Sequence, residues 1–459
     1  MRMKRWLIGL AIIVAMASMA VGPAWSADAE TKALLKEIQA LKARLAEMDT
    51  MKAKLAELES KVNKVETQQA EQVAAEKSTG KVAPAAAEAT ESAAQSESGT
   101  VKDTALEIVK KLKIGGALRY NYSNSDFNSP QKDRGGDLDF DIFRLNVDGE
   151  YNGLLVSAEY RWYSYMNVIH HGWVGYNFTD NLQGQFGVTK VPFGLMPYAS
   201  HNFWFGVPYY VGLEDDYDLG VKLLYKDGPL DLQFAFFKNA EWGNSSEDKR
   251  YSFDVINTGD PDASNEEDNQ FNLRVAYTFD HGDFGKTELG LSGEWGMLYN
   301  TITNDHGDHW AGAAHLNGFY GPFNLMLESA YYKYNPENPD GISDDAIQMG
   351  AFADNYRVAA EGIIYVANLS YDLKVDLGPV KKLTFYDDFS LLDKKKGGGD
   401  NSEINTLGFM IDANPIYAYI DFIMGRNMIW LGHESDSPMA DGKDDDWHLL
   451  FNVNVGYYF

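Results

Sequence analysis

The stretch His448–Phe459 alternates with a period of two. Leu449, Phe451, Val453, Val455, Tyr457 and Phe459 take one face of an extended strand, and His448, Asn452, Asn454, Gly456 and Tyr458 take most of the other. An apolar face backed by a polar one suits a strand wetted by different media on its two sides. The same pattern recurs from Leu112 onward, in segments separated by turn residues. No segment beyond the N-terminal apolar run has the ~20 unbroken apolar residues of a spanning helix. A bilayer crossing by such strands requires a closed barrel, because an open sheet edge would leave backbone groups unpaired in lipid.

Sixteen strands are predicted, at 112–122, 139–151, 154–163, 168–178, 182–190, 217–226, 230–238, 269–279, 286–299, 309–320, 323–333, 356–373, 380–391, 403–413, 416–427 and 447–459. The region 356–391 alternates poorly, and the strand holding His170 and His171 carries the weakest pattern. Asn152-Gly153, Thr179-Asp180-Asn181, Asp227-Gly228-Pro229, Gly321-Pro322 and Asn414-Pro415 read as tight turns. The other connections are mostly long and acidic: 123–138, 191–216, 239–268, 334–355 and 428–446. Tight turns at one end and long loops at the other fit a membrane barrel with periplasmic turns and external loops. The expected fold is therefore an all-β transmembrane barrel of about 16 antiparallel strands over 112–459.

The chain before the barrel divides in three. Arg2, Lys4 and Arg5 precede an apolar run from Trp6 to Val21 and a small-residue stretch ending Ser26-Ala27. That is the layout of a secretory signal peptide, residues 1–26. In 27–75, Leu34, Ile38, Leu41, Leu45, Met48, Met51, Leu55, Leu58, Val62 and Val65 form a heptad seam with one short step between the two methionines. This predicts an N-terminal α-helical coiled coil on the periplasmic side, with a stammer where the step falls short. Residues 76–111 open with Ala, Ser, Glu, Thr and Pro84 and read as a flexible tether. Lys and Arg balance Asp and Glu within residues 1–100, so the net charge of −27 falls wholly on the rest. Such a surface repels nucleic acid. The absence of cysteine removes disulfides and thiolate metal sites.

An aromatic C-terminal residue after an alternating strand resembles the ending of bacterial outer-membrane proteins. The resemblance implies that Tyr457 and Phe459 form a signal read by the barrel-assembly machinery. Strand 182–190 runs into Lys190-Val191-Pro192-Phe193-Gly194 and then a 26-residue third loop, 191–216. This resembles trimeric porins of Gram-negative bacteria, and the Gly-rich strand before Lys190, Pro192, Phe193 and Gly194 looks more narrowly like the phosphate-selective porin O and P family. The likeness implies a homotrimer in outer-membrane lipid and lipopolysaccharide, with the third loop folded into the barrel. Phe193, Tyr198, Phe203, Trp204, Phe205, Tyr209 and Tyr210 crowd that loop, an aromatic load that water alone would not tolerate.

Alternation turns Arg119, Arg144, Arg161, Lys222 and Arg274 inward, together with Glu159, Glu294, Glu328 and Asp421. With Glu214, Asp215 and Asp216 on the loop, these cations are the candidate pore constriction. Bases on the first half of the wall facing acids on the second would set up a transverse field favouring polar solutes. The inward Arg residues have a second reading, as pins for the third loop. By strict alternation Lys190 points to lipid. Few inward Lys stand where the phosphate-selective family carries a cluster, so phosphate selectivity is not carried over, and the acidic mouth favours cations weakly. The acidic runs Glu266-Glu267-Asp268, Asp344-Asp345 and Asp444-Asp445-Asp446 read as solvated. His170 and His171, alternating, face opposite sides, and Asp305-His306-Gly307-Asp308-His309 is an isolated loop cluster, so no metal or other cofactor is expected. No nucleophile–base set is visible.

The function expected is passive diffusion of small hydrophilic solutes and ions. The rivals are a solute-specific channel for an anion, phosphate or a sugar, and a structural protein whose coiled coil reaches toward peptidoglycan.

Overall fold

The computed structural model describes residues 111–459 apart from 244, 245, 247, 433 and 434. The expected signal segment, the coiled coil, and the tether up to residue 110 lie outside the described residues. In chain order the strands are β1 (Lys113–Ser125), β2 (Asp137–Tyr151), β3 (Leu154–Trp162), β4 (Asn167–Asn177), β5 (Leu182–Lys190), β6 (Tyr217–Asp227), β7 (Leu230–Ala240), β8 (Asp254–Val255), β9 (Asn265–Asp280) and β10 (Lys286–Asn300). They continue as β11 (His306–Tyr320), β12 (Phe323–Asn335), β13 (Ala346–Ala351), β14 (Asp354–Ala359), β15 (Glu361–Leu377), β16 (Val380–Lys394), β17 (Ser402–Ala413), β18 (Ile416–Arg426) and β19 (His448–Tyr458).

Sixteen of these close into one barrel in sequence order, each antiparallel to its neighbours, with β8, β13 and β14 left out. The closing seam joins β1 to β19, from Ala117 opposite Tyr458 to Ser125 opposite Leu450. Beyond it, Gly116 and Phe459 exchange backbone hydrogen bonds of 2.8 and 3.1 Å. No lipid-facing edge remains, which satisfies the backbone requirement that the sequence imposed.

The two-faced pattern is explicit along β9, where Phe271, Leu273, Val275 and Tyr277 are exposed and Gln270, Asn272, Arg274 and Ala276 are buried. Exposed apolar side chains of this kind, Phe186, Leu223, Leu291, Leu369, Phe422 and Val455 among them, form the outer band. Aromatic residues gather at the tight-turn end: Tyr176 with Phe178, Tyr277 with Phe279, Phe323 with Tyr371, and Tyr457 with Phe459. At the loop end, Phe143 with Trp162 and Trp310 with Tyr331 repeat the motif. These are the two interfacial girdles of a membrane barrel. Asn152 and Gly153, at φ 52° and 83°, form the β2–β3 hairpin turn, whose two central residues need positive φ.

One predicted strand is corrected. Residues 356–373 are two elements, β14 and β15, separated at Ala360. β14 pairs with β13, and β13 with β8, in a small sheet built from the loops. Tyr356, Val358, Ala359 and Ala360 are all nearly inaccessible. A segment buried on both faces has no reason to alternate, which is why its sequence read poorly. The pair His170 and His171 is also corrected. A bulge in β4 sets His171 opposite Glu159 and Ile169 opposite Tyr160, leaving His170 as the extra residue. Both imidazoles then face inward, with their Nδ1 atoms 2.8 Å apart and His171 Nε2 2.8 Å from Ser157 Oγ.

Candidate pore constriction

Loop 191–216 leaves the end of β5 and crosses the lumen. Its backbone is fastened to inward side chains of distant strands. Gly194 N donates to Ser292 Oγ on β10 at 3.0 Å, and Leu195 N donates to Glu328 Oε2 on β12 at 2.7 Å. On β15, Asn368 Nδ2 donates to Ala199 O at 2.5 Å. Farther on, Asp388 of β16 accepts from His201 N, His201 Nδ1 and Asn202 Nδ2 at 2.7, 2.6 and 2.7 Å, and Ser390 Oγ accepts from Val207 N at 2.8 Å. Polar side chains on the inner face thus take up loop N–H groups that would otherwise be buried unpaired.

His201 occupies a telling position in this lattice. Nε2 lies 2.8 Å from Asn324 Oδ1, while Asn324 Nδ2 is spent on Asn317 Oδ1 and Gly318 O. Both ring nitrogens therefore face acceptors, the arrangement that needs an imidazolium. Burial alone would lower its pKa, but the hydrogen bond and charge of Asp388 outweigh it and hold His201 above the usual imidazole value.

The remaining space is a cavity of about 800 Å³. One wall carries Arg119 of β1, Arg144 of β2 and Arg161 of β3. A bulge in β2 skips Asp141 between Phe140 and Ile142 in the register and aims it inward, 2.8 Å from Arg119 Nε. Buried Glu159 serves the other two, at 2.6 Å from Arg161 Nε and 3.5 Å from Arg144 Nη1. Aromatic faces complete the shell: Phe203 lies 4.6 Å from the Arg119 guanidinium and Tyr251 4.5 Å from that of Arg161. Tyr198, Phe205, Tyr209, Phe352 and Trp430 also line the cavity.

The other expected constriction residues lie elsewhere. Lys222 Nζ donates to Lys190 O at 2.8 Å, beneath the start of the loop. Arg274, nearly inaccessible, donates from Nε to Gly194 O at 2.9 Å and pairs through Nη2 with Glu288 at 2.6 Å. Neither lines the cavity. Glu214, Asp215 and Asp216 are buried behind the loop rather than on the cavity. Glu214 accepts from Ala199 N at 2.7 Å, and its carboxyl is held well above the usual range by burial and then by Asp215 and Glu328. Asp215 takes Tyr251 Oη at 2.5 Å and Lys190 Nζ at 2.5 Å. Lys190, set toward lipid by strict alternation, is turned inward because it ends β5 where the chain bends into the loop, and its ammonium also reaches Pro197 O at 2.5 Å. Burial, then Asp254, raise the Asp216 carboxyl well above its ordinary value. Within the motif, Phe193 is buried in the main apolar cluster, and Gly194 sits at φ 55° against the Glu328 carboxylate.

The expected acidic half of the transverse field is covered. Glu328 is engaged by the loop and Asp421 by the hydroxyl of Tyr386. Glu294 accepts from Asn272 Nδ2 at 2.9 Å and lies outside the cavity. The rest of the cavity lining is mainly aromatic and polar, with Asp354 its one further carboxylate. Three further segments expected as external loops contribute: Tyr251, Phe352 with Asp354, and Trp430, whose Nε1 donates to Asp354 Oδ2 at 2.7 Å. Their aromatic residues were the available signal, by the same reasoning that placed loop 191–216 inside. Asp141 had none, since a bulge breaks the parity on which inward assignment rests.

No protein-family model matches the sequence, and a search of curated proteins finds no match. Solved structures do resemble the barrel. The high-pH structure of Pseudomonas putida OprB matches at TM-score 0.50 and 10% identity, over 79% of this chain and 97% of that one. The outer-membrane channel DcaP of Acinetobacter baumannii matches at 0.49 and 12%, over 76% and 97%. The trimer form of Vibrio cholerae OmpT matches at 0.48 and 15%, over 76% and 99%. At these identities the likeness is one of fold. The chain is a sixteen-stranded antiparallel barrel that resembles these outer-membrane proteins in fold, and nothing in the likeness singles out the phosphate-selective O and P family.

Proposed function

We propose that the protein is an outer-membrane porin, a water-filled channel through which small hydrophilic solutes and ions diffuse down their gradients. The observation that carries this reading is loop 191–216, laced across the lumen from β5 to β16 and leaving a cavity lined by Arg119, Arg144, Arg161 and aromatic side chains. Sixteen strands enclose an aqueous interior, and an infolded loop sets how much of it stays open. Diffusion of this kind requires no nucleophile and no cofactor. In the same reading the chain forms a homotrimer in lipid and lipopolysaccharide, is inserted by the barrel-assembly machinery through Tyr457 and Phe459, and carries a periplasmic coiled coil that reaches toward peptidoglycan. Purified, refolded protein added to a planar bilayer should give stepwise, ohmic conductance increments. A folded barrel that inserts but never conducts rejects the proposal.

A second reading, preference for anions within the pore, is favoured by one observation. Three arginines line the cavity against two carboxylates, Asp141 and Asp354, while Glu159 sits behind Arg144 and Arg161. The one-charge excess of arginine on the lining of a narrow, low-dielectric cavity attracts anions, against the expectation drawn from the acidic loops. A reversal potential of the chloride sign under a KCl gradient supports it, and the potassium sign rejects it.

A further inference from the structure

Three carboxylates from two chain segments converge beside the base of the infolded loop. Asp216 ends that loop, Asp218 stands on β6 and Asp254 on β8, and one carboxylate oxygen from each lies within 4.8 Å of the others. Their exposures are 7%, 1% and 1%. Glu241, Glu267 and Glu294 add to the negative field at Asp216. The countercharge is modest. Arg250 Nη1 lies 3.0 Å from Asp254 and 3.7 Å from Glu241, and His309 Nδ1 is 3.5 Å from Glu294. One guanidinium cannot balance so many buried carboxyl groups, and the imbalance is met by protons or by a cation.

A separate feature points to what offsets it. Asp218 Oδ1 and Glu241 Oε2 are buried atoms that accept no hydrogen bond. Their sister oxygens are supplied: Asp218 Oδ2 by Gln270 Nε2 at 3.3 Å, and Glu241 Oε1 by Tyr251 N and Ser252 N at 3.1 and 3.2 Å. Asp218 Oδ1 is thus left bare, and Glu241 Oε2 has only the Arg250 guanidinium, 3.7 Å away at Nη1. A buried acceptor without a donor is costly, and more so when charged.

We propose that Asp216, Asp218 and Asp254, with Glu241 beside them, bind one calcium ion. Oxygen-only ligands suit a hard cation, and calcium accepts the irregular cage that two chain segments provide, whereas magnesium demands a regular octahedron and retains water. The bound ion joins the end of the constriction loop, the barrel wall and the internal sheet at one point, so external calcium stiffens the element that sets the pore's width. Ion binding here stands apart from conduction: a barrel that fails to conduct can still bind calcium.

Purified full-length protein, stripped with EDTA, is titrated with CaCl2 and separately with MgCl2 by isothermal calorimetry. The expected result is one calcium per chain, with magnesium weaker, and at least about tenfold weaker calcium binding in Asp218→Asn and in Asp254→Asn. Melting provides a second readout that a merely structural role would not produce. In EDTA the Asp218→Asn variant should melt no lower than the wild type, because a buried like charge has gone and no ion pair is lost. With CaCl2 only the wild type should gain stability. Absence of binding to the folded wild type, or equal binding by both variants, overturns the proposal.

Discussion

Asp388 is the far mooring of the constriction loop, and its removal tests how the loop is held. Its carboxylate, on the inner face of β16, receives three short hydrogen bonds from His201 and Asn202. Charge-assisted bonds of this kind contribute about 1.5–3 kcal/mol each. The three share one acceptor, so they do not add, and stranding a buried imidazolium sets the scale at about 3–5 kcal/mol for Asp388→Ala. That loss falls on the loop rather than the barrel. Closure runs through the ladders of sixteen strands, and the loop stays tied at Gly194, Leu195 and Val207. The variant should therefore keep its barrel melting transition while the segment around His201 to Phe205 loosens. In single-channel recordings, conductance should rise and open-channel current noise should increase. Asp388→Asn, which retains a carbonyl acceptor, should fall between variant and wild type. Wild-type conductance and noise from a folded Asp388→Ala barrel would refute the reasoning.

The same anchor predicts a pH dependence. His201 titrates higher in the folded protein than the ~6.5 of a free imidazole, so its contribution is complete below that value and fades as pH rises through the raised one. Current noise should thus grow on the alkaline side in the wild type, and less in Asp388→Ala. Gly194→Ala should weaken the loop's first fastening by about 1–2 kcal/mol, because φ is 55° and a Cβ would stand 2.4 Å from Glu328 Oε2; limited proteolysis of the loop reads this. Leu291→Lys, on the outer band with 66% exposure, should destabilise the folded barrel in lipid by about 2–4 kcal/mol, measured by reversible denaturation in vesicles.

Strand count, closure and the two faces were legible because lipid and water enforce parity over many consecutive residues, as along Phe271 to Tyr277. Parity failed where that boundary condition lapses. At bulges, His170 and Asp141 changed sides; at the end of β5, so did Lys190. Inside the folded loops the environment is protein on both faces, so 356–360 lost its alternation and merged with the following strand. Candidate pore residues followed the same division. Arg119, Arg144 and Arg161 stand on regular inward positions and line the cavity, whereas Lys222 and Arg274 share that inward parity but are covered by the loop. Which inward side chains the loop covers depends on its path across the lumen, and local sequence does not encode that path. Asp388 has the inward parity of any other polar residue on β16. Only the crossing loop makes it an anchor.

The central claim is that Arg119, Arg144 and Arg161 line the narrow part of an open aqueous pathway. The direct measurement is the reversal potential of the triple Arg→Gln variant in a planar bilayer under a KCl gradient, with heat-modifiable migration confirming a folded barrel. The account predicts a clear shift toward potassium relative to the wild type, since three positive charges leave the wall while Asp141 and Glu159 remain. An unchanged reversal potential from the folded variant would contradict it.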